Sequence, residues 1–211
     1  MMHAYDEIYL GKARTTLACM FDYAVNTCQV DIGLFYDIFL KSDYSELFEC
    51  GDSSTIAGKS GIELAYEVMK TYDEDFEFFA PIYSESRSSE YWLGYYLAYY
   101  QWVRNISFER ITDRIEITDI QLMYKKYHEM DVMAFVEALD VMRTDANQMS
   151  RVKEYRLRLG LSQKQLSERA NIPLRTLQQY EQKQKNINNA KAEYVINLSK
   201  ALYCKADDIL E

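Results

Sequence analysis

Proline and glycine are scarce in this chain, two and seven among 211 residues. So few turn-formers cannot punctuate the many short strands of a sandwich or barrel, and their scarcity predicts helices. Histidine is scarcer still, with only His3 and His128. The four cysteines, Cys19, Cys28, Cys50 and Cys204, are dispersed, and no two form C-x-x-C. Tetrahedral sites need clustered soft ligands, so the sequence predicts reduced thiols, no metal and no cofactor. No apolar run approaches the ~20 residues of a membrane-spanning helix. Asp6, Glu7 and Lys12 break up the N-terminal stretch, unlike the apolar centre of a signal peptide. These absences predict a cytoplasmic protein of one or two domains, given roughly 100–200 residues per domain.

Charge is plentiful and unevenly placed. The chain carries a net charge of −9, yet Gln148–Glu211 holds 12 Lys and Arg against 7 Asp and Glu, leaving 12 against 26 for the rest. A basic C-terminal segment suits a phosphate backbone, and the acidic remainder would be repelled by it. The split predicts an acidic domain over residues 1–145 that binds a partner or effector, and a nucleic-acid-binding domain over 149–211.

Apolar spacing places helices over Ala4–Asn26, Asp31–Leu40 (with Asp31 as cap), Tyr44–Phe48, Ser60–Met69, Ser88–Val103, Phe108–Ile111, Thr118–Tyr127 and Asp131–Met142. Cys50–Ser60 reads as a loop and Thr71–Arg87 as an irregular connection. The fold class is all-α. Ser88–Val103 is dense in rings, and Trp92, Tyr95, Tyr96, Tyr99 and Trp102 are candidates for a ligand or partner site. The plainer reading of that helix is a core stripe of Trp92, Tyr96, Tyr99 and Val103.

No catalytic constellation emerges. Ala57-Gly58-Lys59-Ser60-Gly61 approaches a phosphate-binding loop, but Ser53 stands where the pattern needs its first glycine. His128-Glu129 sets an acid beside a histidine, without the second histidine of a zinc-protease motif. The chain is therefore read as a non-enzyme.

The C-terminal segment is the most legible. Val152–Leu159 is an amphipathic helix, with Gly160 as a left-handed cap. Ser162 followed by Gln165 forms a capping box that starts a second helix. Leu166 and Ala170 share its buried face, and Asn171 tolerates the left-handed conformation of a tight turn. Pro173 suits the opening of a third helix, Pro173–Gln182, which buries Leu177 and Tyr180. Leu174, Arg175, Gln178 and Gln179 then face outward, where arginine pairs with guanine and glutamine with adenine. Lys183 and Lys185 follow in position to hold phosphates.

From Val152 to Glu211, under a third of the chain, the sequence resembles the Cro/phage-repressor (XRE-like) helix-turn-helix family. The resemblance rests on Leu159-Gly160-Leu161-Ser162-Gln163, the spacing to Tyr180-Glu181, and the closing Leu198–Leu210. It implies a lambda-repressor-like five-helix domain whose third helix enters the major groove of double-stranded DNA. It also implies base or phosphate contacts from Gln163, base reading by Leu174, Arg175 and Gln179, a backbone contact beside Thr176, and a structural ion pair of Arg156 with Glu181. Lys183 replaces the family's glycine, so the loop after the third helix is expected to differ. Such domains read few base pairs alone, which implies a homodimer. An acidic domain joined to a basic DNA-binding one is similar to the antitoxin of a toxin–antitoxin pair, an autorepressor that also neutralises a toxic protein. The alternative is a protein-interaction or immunity factor whose helix-turn-helix domain does not read DNA.

Overall fold

The computed structural model describes residues 3–82 and 86–210, with side chains for all of these but 146–148. Among the described residues the regular structure is entirely helical, and no helix is long and apolar enough to cross a membrane. The chain divides into two compact units, Met1–Arg143 and Thr144–Glu211.

The N-terminal unit opens with a 3-10 turn, Glu7–Tyr9. Helix α1, Leu10–Asp22, follows and widens into a π-helical turn, Tyr23–Thr27. The single helix expected over Ala4–Asn26 is thus three consecutive helical forms. In α2, Ile32–Lys41, the Asp31 carboxylate caps by accepting from the Leu34 amide. Helix α3 spans Asp43–Glu49, and the expected loop after it contains a further turn, α4, Ser53–Ile56. That turn forms because Asp52 accepts from both the amide and the hydroxyl of Thr55, each at 2.8 Å. Helix α5, Gly61–Tyr72, starts at a reciprocal capping box of Ser60 and Glu63. The residues after it up to Ile82 are irregular; 83–85 of the expected connection lie outside the described residues.

Helix α6, Ser89–Arg104, is capped by Ser88 and stopped by Asn105 in the left-handed conformation, φ 50°. Short helices α7, Phe108–Ile111, α8, Ile117–Leu122, and α9, Tyr124–Tyr127, follow. The one helix expected over Thr118–Tyr127 is therefore two, α8 and α9. The last helix, α10, Val132–Gln148, runs beyond the expected Met142 and past the division between the units.

Helix α1 is the centre of this unit, with α5 and α6 against it. The approach of α6 is very close: a Cβ on Gly94 would lie 2.5 Å from the Leu17 carbonyl oxygen. Gly61 of α5 allows the same against Thr16 and Met20. The phosphate-loop look-alike is accounted for here, since Lys59 pairs with Glu67 at 2.8 Å, Ser60 caps, and Gly61 packs. Aromatic rings fill the core, with Phe21 edge-on to Phe35, Tyr36 and Phe39, and Phe108 against Phe39 and Phe48.

The C-terminal unit contains α11, Arg151–Arg158, α12, Gln163–Arg169, α13, Leu174–Glu181, and α14, Ala192–Ala201. Two 3-10 turns, Ile187–Asn189 between α13 and α14 and Asp207–Ile209 after α14, complete its helical elements. Val152, Leu166, Ala170, Ile172, Leu177, Leu198 and Ile209 make its core. Each of the four α-helices is followed by a residue with positive φ: Gly160, Asn171, Lys183 and Tyr203. After α11, α12 and α14, the next amide reaches back to Arg156, Ser167 and Ser199 respectively, the Schellman pattern. After α13 it is the amide of Lys185, one residue later, that reaches the Gln179 carbonyl.

Candidate nucleic-acid interface

Helices α12 and α13 are held by local bonds before any packing acts. The Ser162 hydroxyl accepts from the Gln165 amide while the Gln165 side chain accepts from the Ser162 amide. These bonds satisfy amides that a helix start leaves orphaned. In the turn, Ser167 donates to the Ile172 carbonyl at 2.7 Å and Asn171 takes φ 50°. Pro173 is the cap of α13 rather than its first helical residue. It has no side-chain acceptor to offer, so α13 starts without a side-chain cap.

Behind these helices lies a buried polar cluster. Arg156 donates through Nε to Glu181 Oε1 at 2.6 Å and through Nη2 to Oε2 at 3.0 Å. Its Nη1 reaches the Leu161 carbonyl at 2.6 Å. The two side chains are 9% and 1% exposed. Glu181 Oε2 also accepts from Gln163 Nε2 at 2.9 Å, and Gln163 Oε1 accepts from Gln178 at 3.3 Å. One carboxylate thus ties α11, the start of α12 and α13 together. Three bonds and a fixed opposite charge compensate its removal from water. Burial also pushes the Tyr180 hydroxyl, in the same unit, above the usual tyrosine range.

The outward face of α13 carries the sequence-named side chains. Leu174 and Arg175 are exposed, Thr176, Gln178 and Gln179 are half-buried, and Leu177 and Tyr180 lie in the core. Lys183 and Lys185 are exposed just beyond the helix. The structure places Leu174, Arg175, Gln178 and Gln179 along one face of one helix. Gln163 is set differently, because both ends of its carboxamide are engaged within the unit. Its position at the start of α12 is legible from the capping box, but its partners, Gln178 and Glu181, lie 15 and 18 residues away.

The five aromatic residues named on α6 do not share one site. Trp92, Tyr95 and Tyr96 border a cleft with Tyr91, Tyr124 and His128. Tyr99 and Trp102 are not in its lining. Trp102 is buried, stacks on His3 at 3.7 Å and donates to the Tyr5 carbonyl at 2.8 Å. Residues 92 and 102 are ten positions apart on a helix of 3.6 residues per turn, which turns them to different sides. The expected core stripe also shifts. Trp92 and Val103 are buried, but Leu93, Leu97 and Tyr100 go deepest, while Tyr96 and Tyr99 stay half-buried. Tyr100 donates to Asp140 at 2.7 Å, and Arg104 grips the same carboxylate. Burial and this bond push the Tyr100 hydroxyl up to about 12. His128 Nδ1 lies 2.8 Å from the Tyr124 carbonyl and Nε2 3.7 Å from Glu129.

The helix-turn-helix family profile matches residues 152–209, which makes the C-terminal unit a Cro/C1-type helix-turn-helix domain. That domain suggests a DNA-binding regulator. No curated protein matches the chain, and no solved structure does.

Proposed function

We propose that this protein is a cytoplasmic transcriptional regulator that binds a specific double-stranded DNA site as a homodimer. In this reading α13 lies in the major groove, with Arg175 and Gln179 on base edges, Leu174 on an apolar base edge such as a thymine methyl, and Thr176, Lys183 and Lys185 on the backbone. Gln178, midway along α13, and Gln163, at the start of α12, complete the DNA-facing set, with Gln163 held in place by its bonds to Glu181 and Gln178. The observation that supports this most directly is the exposed Leu174–Arg175 face of α13, followed by two exposed lysines, in a unit whose Arg156–Glu181 cluster holds the helices in register. The acidic N-terminal unit serves as the partner- or effector-binding part. In its finer form the protein is an autorepressor of the antitoxin kind, which the charge split between the two segments motivates.

Footprinting of the full chain on the DNA upstream of its own gene tests this. A protected two-fold site, lost as salt is raised, is the expected result. No protection at low salt rejects DNA binding. It would favour the second reading, an interaction or immunity factor, for which the apolar Leu174 at a base-reading position is the specific pointer.

A further inference from the structure

The cleft beside α6 and α9 has a volume of about 280 Å³. That is just under the ~300–1,000 Å³ typical of pockets for drug-sized ligands, so it suits one ring or a fused pair. Its walls are flat: Trp92 stacks on Tyr96 with centroids 4.5 Å apart, Tyr91 lies beside Tyr95 at 6.2 Å, and Tyr124 against His128 at 4.7 Å. Faces of this kind select planar ligands.

The charge of the lining runs against its surroundings. In a segment with 26 acidic and 12 basic residues, the cleft is lined by Arg87 and His128 and by no carboxylate. The exposed Arg87 guanidinium lies 4.6 Å from the centre of the Tyr91 ring and has no carboxylate partner among the described residues. Of the carboxylates near the rim, the exposed Glu129 lies outside the lining, 3.7 Å from His128 Nε2, and the two beside the start of α6 are engaged by neutral donors. Asp22 accepts from Ser88 and Asn26, and Glu90 from Asn26, Ser89 and Gln121. A cationic ligand would meet Arg87 as a like charge, whereas an anion completes it.

We infer that this cleft binds a small planar aromatic anion, with the ring against the tryptophan and tyrosine faces and the anionic group on Arg87. The inference rests on the reading of the N-terminal unit as the effector-binding part. Trp92 and Tyr96 both lie edge-on to Phe135 of α10 at 5.3 and 5.4 Å, so a bound ring leans on a pair already packed against that helix.

The test is calorimetric titration of the full chain, without DNA, with adenosine monophosphate, anthranilate, adenosine and choline. One of the two anions binds with a Kd below about 1 mM. Adenosine binds about tenfold or more weakly than the monophosphate if the nucleotide is the better anion, and Arg87→Gln weakens the anion about tenfold. Preference for the monophosphate identifies a nucleotide source, and preference for anthranilate an aromatic carboxylate. Absence of binding by both anions at millimolar concentration, tighter binding of choline, or equal affinity of the Arg87→Gln protein overturns the inference. Arg87 is exposed, and an unchanged circular dichroism spectrum verifies that its variant is folded. Because no DNA is present, failure here leaves the footprinting result standing, and failed footprinting leaves this one standing.

Discussion

The two units are built from the same kind of helix but held together in different ways. The N-terminal unit, Met1–Arg143, can bury a large core, and its backbones touch where Gly94 and Gly61 remove the side chain. Its conspicuous arginine–carboxylate pair, Arg104 with Asp140, stays 25% and 35% exposed. The C-terminal unit, Thr144–Glu211, is about half that size and has less apolar surface to bury per residue. Its Arg156–Glu181 pair is buried, and its helices end in tight left-handed caps. A large unit can fix its geometry by close apolar packing. A small one whose outer face is reserved for polar groups fixes it with directional bonds beneath that face.

Breaking the buried pair should have the largest effect. Glu181→Ala strands Arg156 in the core and should cost about 3–5 kcal/mol. Hydrogen exchange of the amides of α12 and α13 in the full chain measures it. Restored protection in an Arg156→Met, Glu181→Leu double variant would show that the loss came from the unpaired charge. The matching break in the N-terminal unit is Gly94→Ala, which forces α6 away from α1 and should cost about 1–3 kcal/mol. The thermal transition of that unit should fall, and an unchanged midpoint would contradict the close approach at Leu17.

Arg175→Ala separates reading from holding. It should weaken binding to the protected DNA site by about 1–3 kcal/mol and relax the preference at one base pair. Its unfolding midpoint should not move, since the side chain is exposed; equal affinity of both proteins would remove Arg175 from the base-reading set. The smallest effect is a gain. Tyr203 is 82% exposed and held at φ 56°. Tyr203→Gly should stabilise the C-terminal unit by about 1 kcal/mol, because the left-handed conformation carries no Cβ clash in glycine. Urea denaturation of the two proteins provides the comparison.

Much of the C-terminal unit is legible from residues close in sequence. Ser162 and Gln165 are three positions apart, and Asn171 and Gly160 each act on their own turn, so the motif's helix ends follow from local chemistry. The N-terminal helices are legible where a cap stands next to an apolar stripe, as at Asp31, Ser60 and Ser88. They are misread where the backbone departs from a simple period, as in the π-helical turn at Tyr23–Thr27. The turn at Ser53–Ile56 is missed because Gly51, Ser53 and Ser54 look like a loop, while Asp52 closes a helical turn among them.

What the sequence by itself determined is the all-helical class, the position of the helix-turn-helix segment, and the face of α13 that carries Leu174, Arg175, Gln178 and Gln179. These follow from contacts within a few residues and from a helix repeat that fixes which side chains share a face. Only the tertiary structure decided that Trp102 packs on His3 and bonds to Tyr5, and that Tyr124 and His128 join the cleft that Trp92 borders. It also decided that Gln163 is engaged by Glu181 and Gln178, and that Gly94 is where α6 meets α1. Each of these depends on residues far apart in the chain, brought together by packing between helices, and no local pattern encodes that packing.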